Sequence, residues 1–241
     1  MGGFILQLGG GSGGVFRQGA RMWSKERPFE AVIFDLDGVI VDSEPLHQEA
    51  FRRVLRHVGI DLSVLDDWHQ FVGTADRPAL AAVLEGHEAG RRLDELLDLK
   101  AAEFLGLMAS ADPIYPEVPG LVADLAGRYP LAVASGSLRS AIDGVLGLRD
   151  LRRHFRFTVS VQEVARGKPA PDLYLRAAAA LGCDPSACVA IEDSVPGVTA
   201  ARAAGMRVIA ITNTTPAERL SAADAVVAGY DRIRDLLLPA G

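Results

Sequence analysis

The chain has 241 residues, 49% hydrophobic and 23% charged. That is ordinary globular composition, which argues against disorder and lets a core form without disulfide or metal. Formal net charge is −6; Arg17, Arg21, Lys25 and Arg27 against Glu26 place +3 in the first 29 residues and leave −9 on the remainder. A body that acidic lacks the phosphate attraction that dominates nucleic-acid affinity, so no nucleic-acid partner is expected. A charged substrate would need cations or a metal placed locally.

Residues 1–28 read as a flexible Gly-rich tail on their Gly/Ser composition. Their one apolar stretch, Phe4 to Leu8, is far too short for a membrane span and lacks preceding basic residues, so it fails as a signal peptide. Leu6 occupies the place where a myristoylation signal needs Ser or Thr, and no membrane partner is expected. Gly9, Gly11 and Gly14 satisfy the dinucleotide pattern GxGxxG, with Asp35 beyond as the acid. The required helix does not follow, because the next residues carry Gly19 and Pro28 and no helical apolar period.

From Pro28 onward apolar runs alternate with helical ones. Residues 31–35 (AVIFD) form a continuous apolar run ending in an acid, the mark of a buried parallel strand. Residues 131–135, 157–161, 188–193, 207–212 and 224–227 repeat that character, and helical stretches fall at 119–128, 138–147, 171–181, 195–204 and 230–238. Gly182 and Gly205 sit where helix C-caps belong, and Pro171 and Pro196 near helix starts. This alternation predicts an α/β fold, a doubly wound, mostly parallel sheet with right-handed crossovers.

One connection is too long. Roughly eighty residues separate Asp35 from the helix near 119, against about 2–6 in ordinary βα loops. Residues 46–58, 78–85 and 92–108 are amphipathic, with Pro45 opening the segment and Pro113, Pro116 and Pro119 closing it. The expected organisation is an α/β core of 29–44 and 117–241, with an inserted helical domain at 45–116 acting as a lid over the first strand.

The chemistry collects at strand ends. The first strand closes in Asp35-Leu36-Asp37-Gly38 and a later one in Glu192-Asp193, and the crevice beyond the carboxyl ends of parallel strands is where such sheets bind ligands. Four carboxylates gathered there would repel one another by roughly 4 kcal/mol per pair at 4 Å and an effective dielectric of about 20. A cation must enter or some groups must stay protonated; all-oxygen ligands and a phosphate partner point to Mg²⁺. Ser135-Gly136 follows the second strand and forms a candidate anion site. Lys168, before the helix opening at Pro171, can neutralise a phosphate oxygen. The GxxxxGK[ST] pattern of a P-loop is absent.

DLDGV at 35–39, Ser135, Lys168 and Glu192-Asp193 match in order the four motifs of the haloacid-dehalogenase-like superfamily, and DSEPLH at 42–47, ASGS at 134–137, GKPAPDLY at 167–174 and IEDSVPGVTAARAAGM at 191–206 agree. The chain resembles the helical-cap branch that holds phosphoglycolate-phosphatase-like enzymes and beta-phosphoglucomutase, over residues 29 to about 228. The resemblance implies Asp35 as nucleophile forming an aspartyl-phosphate, and Asp37 as acid and base with its carbonyl on the metal. It further implies Asp193 as Mg²⁺ ligand, Glu192 as ligand or orienter, and Ser135, Gly136 and Lys168 as holders of the phosphoryl oxygens.

It also marks lid residues. His47, twelve residues after Asp35, is either a packed histidine or the mutase residue that couples binding to closure. Arg77 and Lys100 are either substrate contacts or solvent charges. Where the mutase carries an Arg three residues after the glycine matching Gly73, this chain has Asp76, and the segment after Ser135 is altered to Gly136-Ser137-Leu138. His57, His69, His87 and His154 read as surface residues. Cys183 and Cys188 fit no zinc or redox spacing and read as inert thiols in a reducing, cytoplasmic setting.

The expected activity is a Mg²⁺-dependent phosphatase for a small phosphorylated metabolite, a sugar phosphate or a phosphoglycolate-like acid. A phosphosugar mutase and a non-catalytic phosphometabolite sensor are the alternatives. Substrate identity, in which Thr74 and Asp76 of the lid take part, and oligomeric state stay open; a monomer is compatible with everything above.

Overall fold

The computed structural model describes residues 15–16, 29–68, 71 and 76–238. The glycine motif at 9–14, His69, Gly73 and Thr74 fall outside them. The chain divides into two compact units, residues 1–41 with 114–241, and residues 42–113. These junctions lie three residues before the expected ones at each end, because Val41 pairs with Ile114 and so closes the α/β unit earlier than the prolines suggest.

Among the described residues the larger unit is built on seven strands: β1 (Val15–Phe16), β2 (Ala31–Phe34), β3 (Leu131–Ser135), β4 (Phe155–Ser160), β5 (Cys188–Glu192), β6 (Arg207–Ile211) and β7 (Ala225–Val227). They lie in the order β1-β7-β6-β5-β2-β3-β4. The six strands β2 to β7 run parallel, as expected of runs without polar alternation: β2, β3, β5 and β7 are buried along their whole length. The expectation for the tail needs one correction. Val15 and Phe16 pair antiparallel with Val226 and Ala225, since the outer edge of β7 otherwise presents unpaired backbone groups.

Helices α4 (Val118–Ala126), α5 (Arg139–Gly147), α6 (Asp172–Leu181), α7 (Val195–Ala203) and α8 (Tyr230–Leu237) connect or cover the strands. Helix α6 ends at Gly182 with φ +72°, the left-handed conformation that closes a helix without a Cβ penalty. The strand expected at 157–161 begins two residues earlier and stops at Ser160, whose side chain and Glu163 form a capping box that starts a 3₁₀ turn instead.

Strand β2 is the pivot of the sheet. One succession runs from it through β3 to β4 and the other through β5 to β6 and β7, so the winding reverses there and opens a crevice at the carboxyl end of β2. Phe34 is in register with Val133 on one side and Ile191 on the other, which brings Asp35 level with Glu192 and puts Ser135 one residue further along.

The smaller unit contains α1 (Glu44–His57), α2 (Asp76–Val83) and α3 (Leu93–Ser110). Phe51, Val54, Leu55, Leu80, Leu84 and Leu96 lead its own apolar core, at the 3- and 4-residue spacing read from the sequence. Among the described residues no helix is long and apolar enough to cross a membrane.

Candidate active site

Each acidic side chain is delivered by the end of a strand. Asp35 follows β2 and Glu192 closes β5, with Asp193 next to it; all three are buried. Each offers an oxygen within 4.8 Å of the others. Lys168 enters from the loop before α6 and sets its ammonium 2.7 Å from both Asp35 Oδ1 and Glu192 Oε1. One cation thus faces three acids.

The electrostatics show how incomplete that compensation is. Burial, reinforced by Glu192 and Asp37 and opposed by Lys168, pushes the Asp35 carboxyl up to about 7. Burial and the charges of Glu192 and Asp35 hold Asp193 far above the usual carboxylate range. Burial alone would pull Lys168 down, but the two carboxylates outweigh it and raise the ammonium above its ordinary value. A second cation would let both aspartates ionise. The donor set, hard oxygens in a small buried volume, fits a divalent metal ion.

Glu192 differs from its neighbours. Its Oε1 accepts from Lys168 and from the Tyr174 hydroxyl at 2.6 Å. Its Oε2 accepts from the backbone of Asp193 at 3.1 Å, the backbone of Ser194 at 3.2 Å and the Ser194 hydroxyl at 3.0 Å. Both oxygens are engaged, which suits an anchor for Lys168 and the Asp193 loop better than a metal ligand. Tyr174 is correspondingly held neutral by burial and by the Glu192 charge. Asp193 is steadied by the Thr214 hydroxyl.

The turn after β2 is equally constrained. Gly38 has φ +74°, and a Cβ there would stand 2.0 Å from Asp193 Oδ2, so only glycine permits the Asp37 loop to pass that carboxylate. Asn213 donates to the Gly38 carbonyl and Tyr230 to that of Val39, both at 2.8 Å. Ser135 Oγ accepts from the Ser137 backbone at 2.9 Å; it caps no helix, since α5 starts after Leu138. Gly136 is exposed beside it, and Ser137 donates its hydroxyl to Asp37 Oδ2.

The haloacid dehalogenase-like hydrolase profile matches residues 29–205. The chain belongs to that family. The hydrolase is 33% identical over 178 residues to the fructose-1-phosphate phosphatase YqaB of Escherichia coli K12, covering 74% of this chain and 94% of the relative. It is 35% identical over 191 residues to hexitol phosphatase B of the same organism, covering 78% and 86%. Among solved structures, CbbY of Rhodobacter sphaeroides in complex with phosphate superposes with a TM-score of 0.73 at 26% identity, covering 85% and 96%. A beta-phosphoglucomutase of Clostridium difficile does so with 0.68 at 25%, covering 87% and 97%.

Within the hydrolase's α/β unit, Asp35, Lys168, Glu192 and Asp193 are linked through the contacts above, and Asp37 and Ser135 are linked to each other through Ser137. The three helical-unit candidates separate. Arg77 is exposed and paired with exposed Asp94. Lys100 is only 1% exposed and so is no solvent charge. Its ammonium lies 2.7 Å from both Asp76 oxygens, donates to His47 Nδ1, and faces the Phe51 and Phe104 rings. His47 stacks on Phe104. His57 and His87 are exposed and His154 half-buried. Cys183 and Cys188 are free thiols, the latter pushed up to about 12 by burial.

Contributors that the sequence reading leaves unassigned include Tyr174, Ser137, Asn213 and Thr214. Tyr174 and Ser137 lay inside the quoted words GKPAPDLY and ASGS. Thr214 and Asn213 lie just beyond β6, a strand end that carries no acid to draw attention.

Proposed function

We propose that this hydrolase is a Mg²⁺-dependent phosphatase acting on a small phosphorylated sugar or related metabolite through a phosphoaspartate on Asp35. The reading is carried by the buried Asp35 carboxylate at the carboxyl end of the central strand, 2.7 Å from the Lys168 ammonium and grouped with Asp193. The two Escherichia coli relatives, both bearing phosphatase names, support the substrate class.

In this reading an Asp35 oxygen attacks phosphorus in line, the bond from phosphorus to the ester oxygen breaks, and Asp37 supplies the proton that oxygen needs. Lys168, the Ser135 hydroxyl and the Gly136 backbone hold the phosphoryl oxygens as charge spreads over them. Water then attacks phosphorus, Asp37 takes its proton, and inorganic phosphate leaves with Asp35 regenerated. Asp35, Asp193 and the Asp37 carbonyl would hold the metal ion, which when bound supplies the positive charge that the carboxylates and phosphate otherwise lack.

Mutase chemistry has weaker support. The position that resembles the mutase's arginine is Asp76, and its carboxylate is engaged by Lys100. A panel of hexose, pentose and hexitol phosphates with Mg²⁺ is the test. Phosphate release that disappears in Asp35→Asn supports the reading, and turnover retained by that variant refutes it. Isomer formation with a bisphosphate primer and no free phosphate would favour the mutase.

A further inference from the structure

We propose that Ser137 is the positioning residue that fixes the Asp37 carboxyl for proton transfer. This rests on the proposal that Asp37 handles the proton. The backbone of Asp37 is set by its bridge to Val41 and by the Gly38 N–H bonded to the Val41 carbonyl at 2.8 Å. The side chain is a half-buried carboxyl with two rotatable bonds. The Ser137 hydroxyl donates to its Oδ2, a bond that restricts the rotation of the carboxyl which an ester oxygen or a water would meet.

Ser137 is itself clamped at both backbone ends. Its N–H donates to Ser135 Oγ at 2.9 Å, and its carbonyl accepts from Ser160 Oγ at 2.8 Å. Ser160 is fully buried at the end of β4, its own N–H directed to Glu163 Oε2 at 3.3 Å. A chain of bonds therefore runs from β4 through the loop after β3 to the acid after β2. A hydroxyl on a fixed backbone locks an acid far better than one on a free loop, because little rotor freedom remains to be lost.

Rapid-quench measurement of Asp35 phosphorylation in the full chain, loaded with Mg²⁺, tests this with two esters. A hexitol phosphate has an alkoxide leaving group that needs the proton; p-nitrophenyl phosphate has one that does not. Ser137→Ala is expected to slow the alkyl ester about 10- to 100-fold more than the aryl ester. Ser137→Thr, which keeps the hydroxyl, is expected to recover most of the difference. In an Asp37→Asn background, Ser137→Ala is expected to add less than about 2-fold, since the two act through one group. Equal losses on both esters, or no rescue by threonine, overturn the proposal. If instead Asp37→Asn itself transfers the alkyl ester's phosphoryl group at the wild-type rate, the assignment of Asp37 fails and the inference with it.

Discussion

Gly197 and Glu192 stand so close that a Cβ on Gly197 would lie 1.7 Å from Glu192 Oε1. Gly197 is in the first turn of α7, where alanine would normally add helix stability of about 1 kcal/mol. Here the carboxylate fills the space. It cannot retreat without giving up Lys168, Tyr174 and the Ser194 cap region together.

Gly197→Ala is therefore expected to destabilise the protein by about 1–3 kcal/mol against its helix propensity. It should also cost about tenfold or more in kcat, because the anchor of Lys168 moves. Denaturant unfolding and steady-state kinetics on one preparation check both. A variant as stable and as active as the parent would show that Glu192 has room to relocate.

The ion-free protein is expected to become less stable as pH rises from about 4 to beyond 7. Asp35 is raised from 3.8 to about 7, and Asp193 is raised as well, so across that window the folded state binds more protons than the unfolded chain. Stability from these groups is then fully present below the unfolded value and is lost as pH climbs through the folded one. For Asp35 the loss is at most about 4 kcal/mol. Bound Mg²⁺ removes it, so the gain in Tm on replacing EDTA with Mg²⁺ should be larger at pH 8 than at pH 5.5. An equal gain at both values would mean that the ion binds elsewhere.

Much of this arrangement is legible in the sequence because parallel strands have a simple signature. Uninterrupted apolar runs ending in acids located β2 and β5 to within a residue or two, and Gly182 located the end of α6. The four motif positions converge because the sheet reverses at β2, a property of strand order that alternating patterns make the default. Lys100 was not legible. A lysine in a helix that also exposes Asp94, Glu95 and Asp98 looks like part of a solvated face, and its burial is offset by the approach of Asp76, His47 and two aromatic rings. Ser137 carries no such signal, since its hydroxyl gains its role from a partner 100 residues away in the chain.

Lys168 and Tyr174 share the Glu192 oxygen Oε1, and their removal should differ in kind. Lys168→Met deletes the cation bonded to Asp35 and Glu192, and a loss of about 10²–10³-fold in kcat is expected from the missing charge at the phosphoryl group. Tyr174→Phe deletes a neutral donor and leaves Lys168 in place. It should cost about 1–2 kcal/mol of stability and less than about tenfold in kcat. Comparable kinetic losses in both would indicate that Tyr174 touches the reacting phosphate.

Asp76 and Lys100 form an ion pair of unequal exposure, the lysine side chain at 1% and the aspartate at 42%. The consequences of breaking it are therefore unequal too. Lys100→Met keeps the length and apolar stem that pack on Phe51 and Phe104, and the aspartate it releases is able to turn to water; the expected cost is below about 1.5 kcal/mol. Asp76→Ala removes both 2.7 Å contacts from an ammonium that stays buried, and the expected cost is about 3 kcal/mol. The double variant, Asp76→Ala with Lys100→Met, should be more stable than Asp76→Ala alone, because the buried charge has gone. Urea unfolding of the three variants measures the order. A double variant less stable than either single one would show that the lysine is stabilised independently of Asp76.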